Sequence, residues 1–160
     1  MILFLDFDGV LHPSSVFLEK SRPVLHGDGE LFMWTPQLIE ALAPYPNVKI
    51  VLSTNWVRIR GFSRVRGALP ESLQHRVIGA TWHSSMLDDE NDYDNSSRFK
   101  QIAKYVSMKN TQHWLAIDDL HEHSENWGVS YLAHLVKTNP QLGLSDPATL
   151  AQLKEMLSRN

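Results

Sequence analysis

The sequence predicts a single α/β domain of the doubly wound type, in which helices cover both faces of a central parallel sheet of about five strands. Three observations predict this fold. Five short apolar segments recur along the chain, helical patterns lie between most of them, and 160 residues suit one domain of ordinary size. Residues 1–160 are therefore expected to form one three-layer domain.

The predicted strands are brief and mostly rich in isoleucine, valine and leucine, as parallel strands buried on both faces usually are. They comprise Ile2–Leu5, Lys49–Leu52, 76–78, 114–117 and 133–136. Because these strands alternate with helical patterns, the expected arrangement is Rossmann-like. Its binding crevice would lie beyond the carboxyl ends of the strands.

Three helices are predicted between and after these strands. Pro36 suits the first turn of one helix, a serine at 96 or 97 can cap the second, and Asp146-Pro147 opens the third. Each helix then shows apolar side chains at helical spacing. These stripes are Leu38, Ile39 and Leu42 in the first helix, Phe99, Ile102, Ala103 and Val106 in the second, and Leu150, Leu153 and Leu157 in the third.

Two segments carry neither a strand nor a helix pattern. Residues 13–33 are irregular and too long for a simple turn, and such loops often carry function. Residues 84–97 are acidic and polar, and are expected to form a solvated loop. They resemble a calcium-binding loop only loosely, because the glycine and the terminal glutamate of that motif are missing.

The composition excludes several classes of protein. A formal charge of −3 leaves no general basic surplus for nucleic-acid binding, although a local basic patch is not excluded. The absence of cysteine excludes disulfides and thiolate zinc sites. No apolar run approaches the ~18 residues of a membrane span, and the apolar start is too short for a signal peptide. A cytoplasmic location without membrane contact is expected by default, and the sequence leaves the oligomeric state open.

The strongest chemical signal follows the first predicted strand, where Asp6 and Asp8 flank an aromatic residue and precede Gly9. Residues two apart on a strand share a face, so both carboxylates can point into the crevice. Two carboxylates this close repel each other unless a cation or a shared proton intervenes, and Mg²⁺ prefers oxygen ligands. Gly9 permits a sharp exit from the strand. The alternative to a functional site is an acidic turn that follows the strand.

Polar residues also follow two other predicted strands. Thr54 and Asn55, after Lys49–Leu52, can donate hydrogen bonds to phosphate oxygens, or can simply cap a helix. Asp118 and Asp119 follow the strand at 114–117, and either can complete a magnesium shell or form an acidic turn.

A basic residue and two aromatic side chains complete the candidate set. Arg98 precedes the strand at 114–117 and can neutralise a nucleophile and a transferring phosphoryl group, with Lys100 as its rival. Trp56 can floor a substrate pocket or pack in the core. His12 can reach a leaving group, whereas His121 and His123 are expected to be polar surface residues.

These four signals occur in one order along nearly the whole chain, and the sequence resembles the haloacid dehalogenase-like hydrolase superfamily at each. The matching positions are DFDGV at 6–10, the hydroxyl of Thr54, the basic Arg98 and the acidic pair at 118–119. One position departs from the pattern, because the basic motif residue is usually lysine. Arginine can still hold a phosphate, through two parallel hydrogen bonds rather than as a point charge.

The resemblance implies a role for each residue. Asp6 would attack phosphorus and form an aspartyl-phosphate, and Asp8 would protonate the leaving group and then activate water. Thr54 and Asn55 would bind phosphate, and Arg98 would stabilise both phosphate and Asp6. Magnesium would be held by Asp6, Asp118 and the backbone carbonyl of Asp8.

The predicted function is that of a magnesium-dependent phosphomonoesterase. The second aspartate, Asp8, points to phosphate chemistry, because superfamily members that cleave carbon–halogen bonds do not use it. Only 45 positions separate Asp8 from Ser53, too few for a full cap domain, so the crevice would be open to large phosphorylated substrates, macromolecules among them. A phosphotransferase or phosphomutase of the same fold, or an inactive phosphate-binding module, remains as an alternative.

Overall fold

The computed structural model describes residues 1–20, 22–82, 98–119 and 129–159. The strands within these ranges are β1 (Ile2–Leu5), β2 (Val16–Glu19), β3 (Arg22–Leu25), β4 (Lys49–Leu52), β5 (Val77–Ala80), β6 (Trp114–Asp118) and β7 (Leu135–Lys137). The α-helices of the same described ranges are α1 (Thr35–Leu42), α2 (Trp56–Arg60), α3 (Phe62–Arg66), α4 (Glu71–Gln74), α5 (Arg98–Lys109), α6 (Val129–Leu132) and α7 (Pro147–Arg159). A single 3₁₀ turn at Gly143–Ser145 precedes α7.

Five strands form one parallel sheet in the order β5-β4-β1-β6-β7. The chain moves outward from β1 through β4 to β5 and then continues on the other side of β1 with β6 and β7. The crevice at such a reversal is where open α/β sheets bind ligands. Leu5 at the end of β1 pairs with Leu52 of β4 and with Ile117 of β6. The residues that follow these three strands therefore emerge at the same edge of the sheet.

Each face of the sheet is covered by helices, which gives the expected three layers. Side chains alternate along β1, so that Leu3 and Leu5 pack in one buried cluster and Phe4 in another. The first cluster includes residues of α1 and α7, and the second includes Ile102 of α5. In the ranges that the model covers, no helix combines enough length with enough apolar character to cross a bilayer.

The predicted doubly wound sheet of about five parallel strands is confirmed, with small shifts of boundary. The final strand begins at Leu135 rather than at 133, and α5 begins at Arg98. The predicted start of α7 is also present. The Asp146 carboxylate accepts hydrogen bonds from the backbone amides of Ala148 and Thr149, at 3.3 and 3.1 Å.

The segment at 13–33 was expected to be irregular, but it contains the antiparallel hairpin formed by β2 and β3. Its signal is weak because each strand has four residues, Pro23 lies inside β3, and neither strand contains a fully buried residue. The described residues between β1 and β4 form this hairpin and α1, and no separate cap domain. The predicted acidic loop at 84–97 lies outside the described residues.

The loop after β1 is fastened by a segment far along the chain. The hydroxyl of Thr138 donates a hydrogen bond to the carbonyl of Gly9 at 2.7 Å. The amide of Leu144 donates to the carbonyl of Val10 at 3.0 Å. Gly143 lets the chain approach closely, because it has φ +45° and an added Cβ would lie 2.6 Å from the carbonyl oxygen of Val10. Residues after β7 thus hold the backbone next to Asp6 and Asp8.

Candidate active site

Three carboxylates meet at the carboxyl ends of the two central strands. Asp6 follows β1, Asp118 ends β6, and Asp119 comes next in the chain. One oxygen from each lies within 4.8 Å of the other two. Asp6 and Asp118 are buried and Asp119 is half-buried. This set of hard oxygen donors fits a divalent cation such as Mg²⁺, and it includes both members of the acidic pair, whose roles the sequence left open.

Gly9 is required by the position of Asp119. Its φ of +67° lies in the left-handed region, which favours glycine. A Cβ on Gly9 would also lie 2.7 Å from both Cβ and Cγ of Asp119. Any side chain here would therefore displace a member of the carboxylate cluster, which explains why a glycine follows Asp8.

Arg98 bridges two of the three carboxylates. Its Nη2 lies 3.4 Å from Oδ2 of Asp6, and its Nε lies 3.0 Å from Oδ2 of Asp118. The side chain of Arg98 is only 14% exposed, so these ion pairs are largely shielded from water. Lys100, the rival basic residue, is exposed on the same helix. With three carboxylates and one guanidinium, the cluster carries a formal charge of −2 and attracts further positive charge.

Asp6 has an electrostatic environment that disfavours its ionised form. Burial raises the pKa of Asp6 well above its ordinary value, and the nearby carboxylates of Asp118 and Asp8 raise it further. Arg98 and the backbone amide of Phe7, which donates to Asp6 Oδ1 at 2.7 Å, oppose this rise without cancelling it. A bound cation would supply the positive charge that this buried carboxylate needs.

Asp8 is near Asp6 but is not one of the three carboxylates that meet within 4.8 Å, and its side chain has different partners. Its Oδ2 accepts a hydrogen bond from the indole Nε1 of Trp56 at 2.9 Å. Its Oδ1 lies 3.1 Å from Nε2 of His12. The Asp8 side chain is 32% exposed, whereas its two partners are buried. The two aspartates of the first motif therefore occupy distinct environments, one beside other carboxylates and a guanidinium, and one beside an indole and an imidazole.

The candidate phosphate-binding residues occupy the loop after β4. Asn55 is exposed, and Thr54 is buried with its hydroxyl 3.4 Å from the backbone nitrogen of Trp56. Asn55 makes no side-chain capping bond to α2, so the capping alternative for that residue is not observed. The hydroxyl of Ser53 is also buried and has no hydrogen-bond partner among the described residues. It is a further donor that a bound oxygen could satisfy.

Two other expectations concerned aromatic side chains and histidines. Trp56 was expected to floor a pocket or pack in the core; it is buried and also holds Asp8. His12, for which contact with a leaving group was one alternative, has a fully buried side chain that lies against Asp8. His121 and His123 lie outside the described residues.

Comparison with known families agrees with this geometry. Residues 2–149 match the family model described as the HAD domain in Swiss Army Knife RNA repair proteins. No curated protein and no solved structure matches the chain. The family match covers most of the sequence, including both central strands and all three clustered carboxylates. The chain therefore belongs to the family of HAD domains found in Swiss Army Knife RNA repair proteins, within the haloacid dehalogenase-like superfamily.

Proposed function

We propose that the protein is a magnesium-dependent phosphomonoesterase that works through an aspartyl-phosphate on Asp6. The observation that carries this proposal is the position of Asp6. Its buried carboxylate lies beside Arg98 and two further carboxylates, at the carboxyl end of the central strand. A nucleophile for phosphorus needs such a site, because the transferring phosphoryl group brings negative charge that must be offset.

The chemistry divides between the two aspartates. An oxygen of Asp6 forms a bond to phosphorus while the bond from phosphorus to the leaving oxygen breaks. Asp8 gives its proton to that leaving oxygen. It then takes a proton from the water that attacks phosphorus, and the bond between Asp6 and phosphorus breaks to release inorganic phosphate. Asp8 suits proton transfer because its exposed fraction leaves it accessible from the crevice.

The remaining residues bind and offset charge. Arg98 can donate to a phosphoryl oxygen while it stays close to Asp6. Thr54 and Asn55 supply donors from the neighbouring strand end. Magnesium would be held by Asp6, by Asp118 and by the backbone carbonyl of Asp8, with Asp119 as a further donor in the same cluster. When bound, the ion would neutralise carboxylate charge and favour the ionised nucleophile.

Hydrolysis of p-nitrophenyl phosphate tests the reaction directly. The purified protein should release nitrophenolate with magnesium and lose activity in excess chelator. The Asp6→Asn variant, which cannot form the aspartyl-phosphate, should be inactive under both conditions. Full activity in chelator would refute the metal requirement. A fully folded protein that binds inorganic phosphate yet never turns over would instead support an inactive phosphate-binding module.

We further propose that the phosphate ester is the end of a nucleic-acid strand. The family description concerns RNA repair proteins, and the chain carries a matching local charge. Residues 53–70, which begin at the phosphate-binding loop, contain four arginines and no acidic residue, although the whole chain has a charge of −3. Arg58 and Arg64 are exposed, and Arg60 lies over the ring of Trp56 at 5.8 Å. Such a basic surface suits the phosphates that flank a strand end.

The substrate proposal requires a comparison of substrates at one ionic strength, followed by a salt titration of the oligonucleotide reaction. A terminally phosphorylated oligoribonucleotide should give a higher kcat/KM than the corresponding nucleoside monophosphate or a phosphopeptide. Replacing Arg58 and Arg64 by glutamine should lower kcat/KM for the oligonucleotide and reduce its salt dependence, while hydrolysis of p-nitrophenyl phosphate stays unchanged. Arg159→Gln, at an exposed position on α7, is the matched control. Preference for the phosphopeptide would contradict this substrate class.

A further inference from the structure

We propose that Trp56 and His12 are positioning residues for the proposed phosphatase reaction, and that together they hold the Asp8 carboxylate in the orientation used for proton transfer. The catalytic role in this inference rests on the proposed function. The contact between these residues and Asp8 rests on geometry alone. The assembly of Asp8, His12 and Trp56 is called the Asp8 clamp below.

The Asp8 clamp fixes both oxygens of one carboxylate. Trp56 Nε1 lies 2.9 Å from Oδ2, and His12 Nε2 lies 3.1 Å from Oδ1. Two donors on two different oxygens prevent the carboxylate from rotating. Each oxygen keeps a second acceptor position for a proton, a leaving group or water. The clamp therefore fixes the orientation of the Asp8 carboxylate and leaves it accessible to substrate.

The tautomer of His12 follows from its second contact. The backbone amide of Phe32 donates to His12 Nδ1 at 3.2 Å, so this nitrogen must be the acceptor. In a neutral imidazole the other nitrogen, Nε2, then carries the proton and donates it to Asp8. Phe32 itself has φ +65°, a conformation that non-glycine residues rarely adopt. The backbone that orients His12 is thus held in an uncommon conformation beside the site.

Aromatic packing makes the Asp8 clamp rigid. The ring of Trp56 contacts the rings of Phe7 and Phe32 with centroids 5.6 Å away in each case. His12 contacts the same Phe32 ring at 5.2 Å and Trp56 at 5.7 Å. A buried indole N–H needs an acceptor, and here it reaches one 48 residues away in the chain. Trp56 follows β4 and His12 follows β1, so the clamp joins the ends of adjacent strands.

The partners of Asp8, which differ from those of the three clustered carboxylates, indicate what the clamp achieves. Asp6, Asp118 and Asp119 lie together, and Asp8 is not part of that group. A freely rotating carboxylate two residues after Asp6 could turn toward a bound cation and be lost for proton transfer. With both oxygens engaged by neutral donors, Asp8 remains available to the leaving group.

Leaving-group dependence tests the proposal. Trp56→Phe removes the N–H and keeps an aromatic ring. With saturating magnesium it should lose roughly tenfold in kcat for a simple alkyl phosphate, whose leaving oxygen needs a proton, and about twofold or less for p-nitrophenyl phosphate. His12→Phe should behave likewise, and His12→Gln, which restores a donor, should recover much of the loss. Trp114→Phe, a substitution of an equally buried indole in the other cluster, should leave the ratio unchanged.

A double-variant comparison separates positioning from general damage. If Trp56 acts through Asp8, Trp56→Phe should cost nothing further in an Asp8→Asn background. Equal losses with both substrates, or full additivity with Asp8→Asn, would overturn the proposal. Wild-type protein without any phosphatase activity would refute the proposed function instead.

The contact itself has a readout that needs no activity. The chain has five tryptophans, so the indole N–H signals of ¹⁵N-labelled protein are few and can be assigned with Trp56→Phe. The Trp56 signal should be protected from exchange, and Asp8→Ala should shift it and speed its exchange. A signal that is unprotected and indifferent to Asp8→Ala would overturn the clamp, whatever the enzyme assays show.

Discussion

Removing the guanidinium of Arg98 should destabilise the metal-free protein strongly and the magnesium-bound protein much less. Arg98→Met keeps the length of the side chain but leaves Asp6 and Asp118 without their shared cation. Removing one partner of a buried ion pair typically lowers the free energy of unfolding by roughly 3–5 kcal/mol. The side chains here are 14%, 7% and 5% exposed, so the lower end of that range applies, about 3 kcal/mol. For a chain of this length that corresponds to about 6–12 °C in Tm.

Thermal unfolding in chelator and in saturating magnesium measures this effect. In chelator, Arg98→Met should show the full decrease in Tm. In magnesium the decrease in Tm should be less than half as large, because the bound cation neutralises the carboxylate charge that the guanidinium neutralises in wild type. Lys100→Met is the matched control, since Lys100 is exposed on the same helix. Equal small decreases for the two variants would refute the reasoning, and so would a decrease for Arg98→Met that magnesium leaves unchanged.

Three further predictions follow from the same geometry. Because the pKa of Asp6 is raised, the stability contributed by this group is present below the unfolded pKa near 3.8 and is lost as pH rises through the folded pKa. Urea titrations in chelator should therefore find Asp6→Asn more stable than wild type at pH 7. This difference in the free energy of unfolding should shrink toward pH 4. Asp8→Asn should accumulate a phosphate adduct on the peptide containing Asp6 when the leaving group is nitrophenolate, and mass spectrometry of acid-quenched samples should find none in Asp6→Asn; an adduct on a histidine peptide would contradict the assignment. Gly9→Ala should raise the magnesium concentration needed for half-maximal activity at least tenfold, since its Cβ displaces Asp119; an unchanged requirement would exclude Asp119 from the metal site.

Most of the fold was predictable because its signals are local. The predicted strands Ile2–Leu5 and Lys49–Leu52 are almost entirely apolar and match the observed strands in full. The residues that follow β1, β4 and β6 were predictable as neighbours for the same reason, since parallel strands end at a common edge. The hairpin at 16–25 was not predicted, because its strands contain no fully buried residue, lack an apolar alternation, and one of them contains proline.

The site was only partly predictable, because tertiary packing between residues far apart in the sequence decides which side chains enter it. Arg98 and Lys100 are both basic residues near the start of α5, and the sequence alone does not separate them. Only the packing of α5 brings Arg98 to Asp6 and Asp118. The hydrogen bond from Trp56 to Asp8 joins residues 48 apart, and no local pattern encodes it. The role of each assigned residue remains a prediction for the experiments above.

The anchoring of the loop after β1 bears on how small an active fragment of this protein can be. Every residue assigned a chemical role here lies between positions 6 and 119. The carbonyls of Gly9 and Val10, however, are held by Thr138 and Leu144. A fragment that stops before β7 would keep the whole reactive set and lose the two bonds that fix its first loop. Circular permutation that retains residues 135–145 should therefore be tolerated better than truncation that removes them, even though neither touches a reactive side chain.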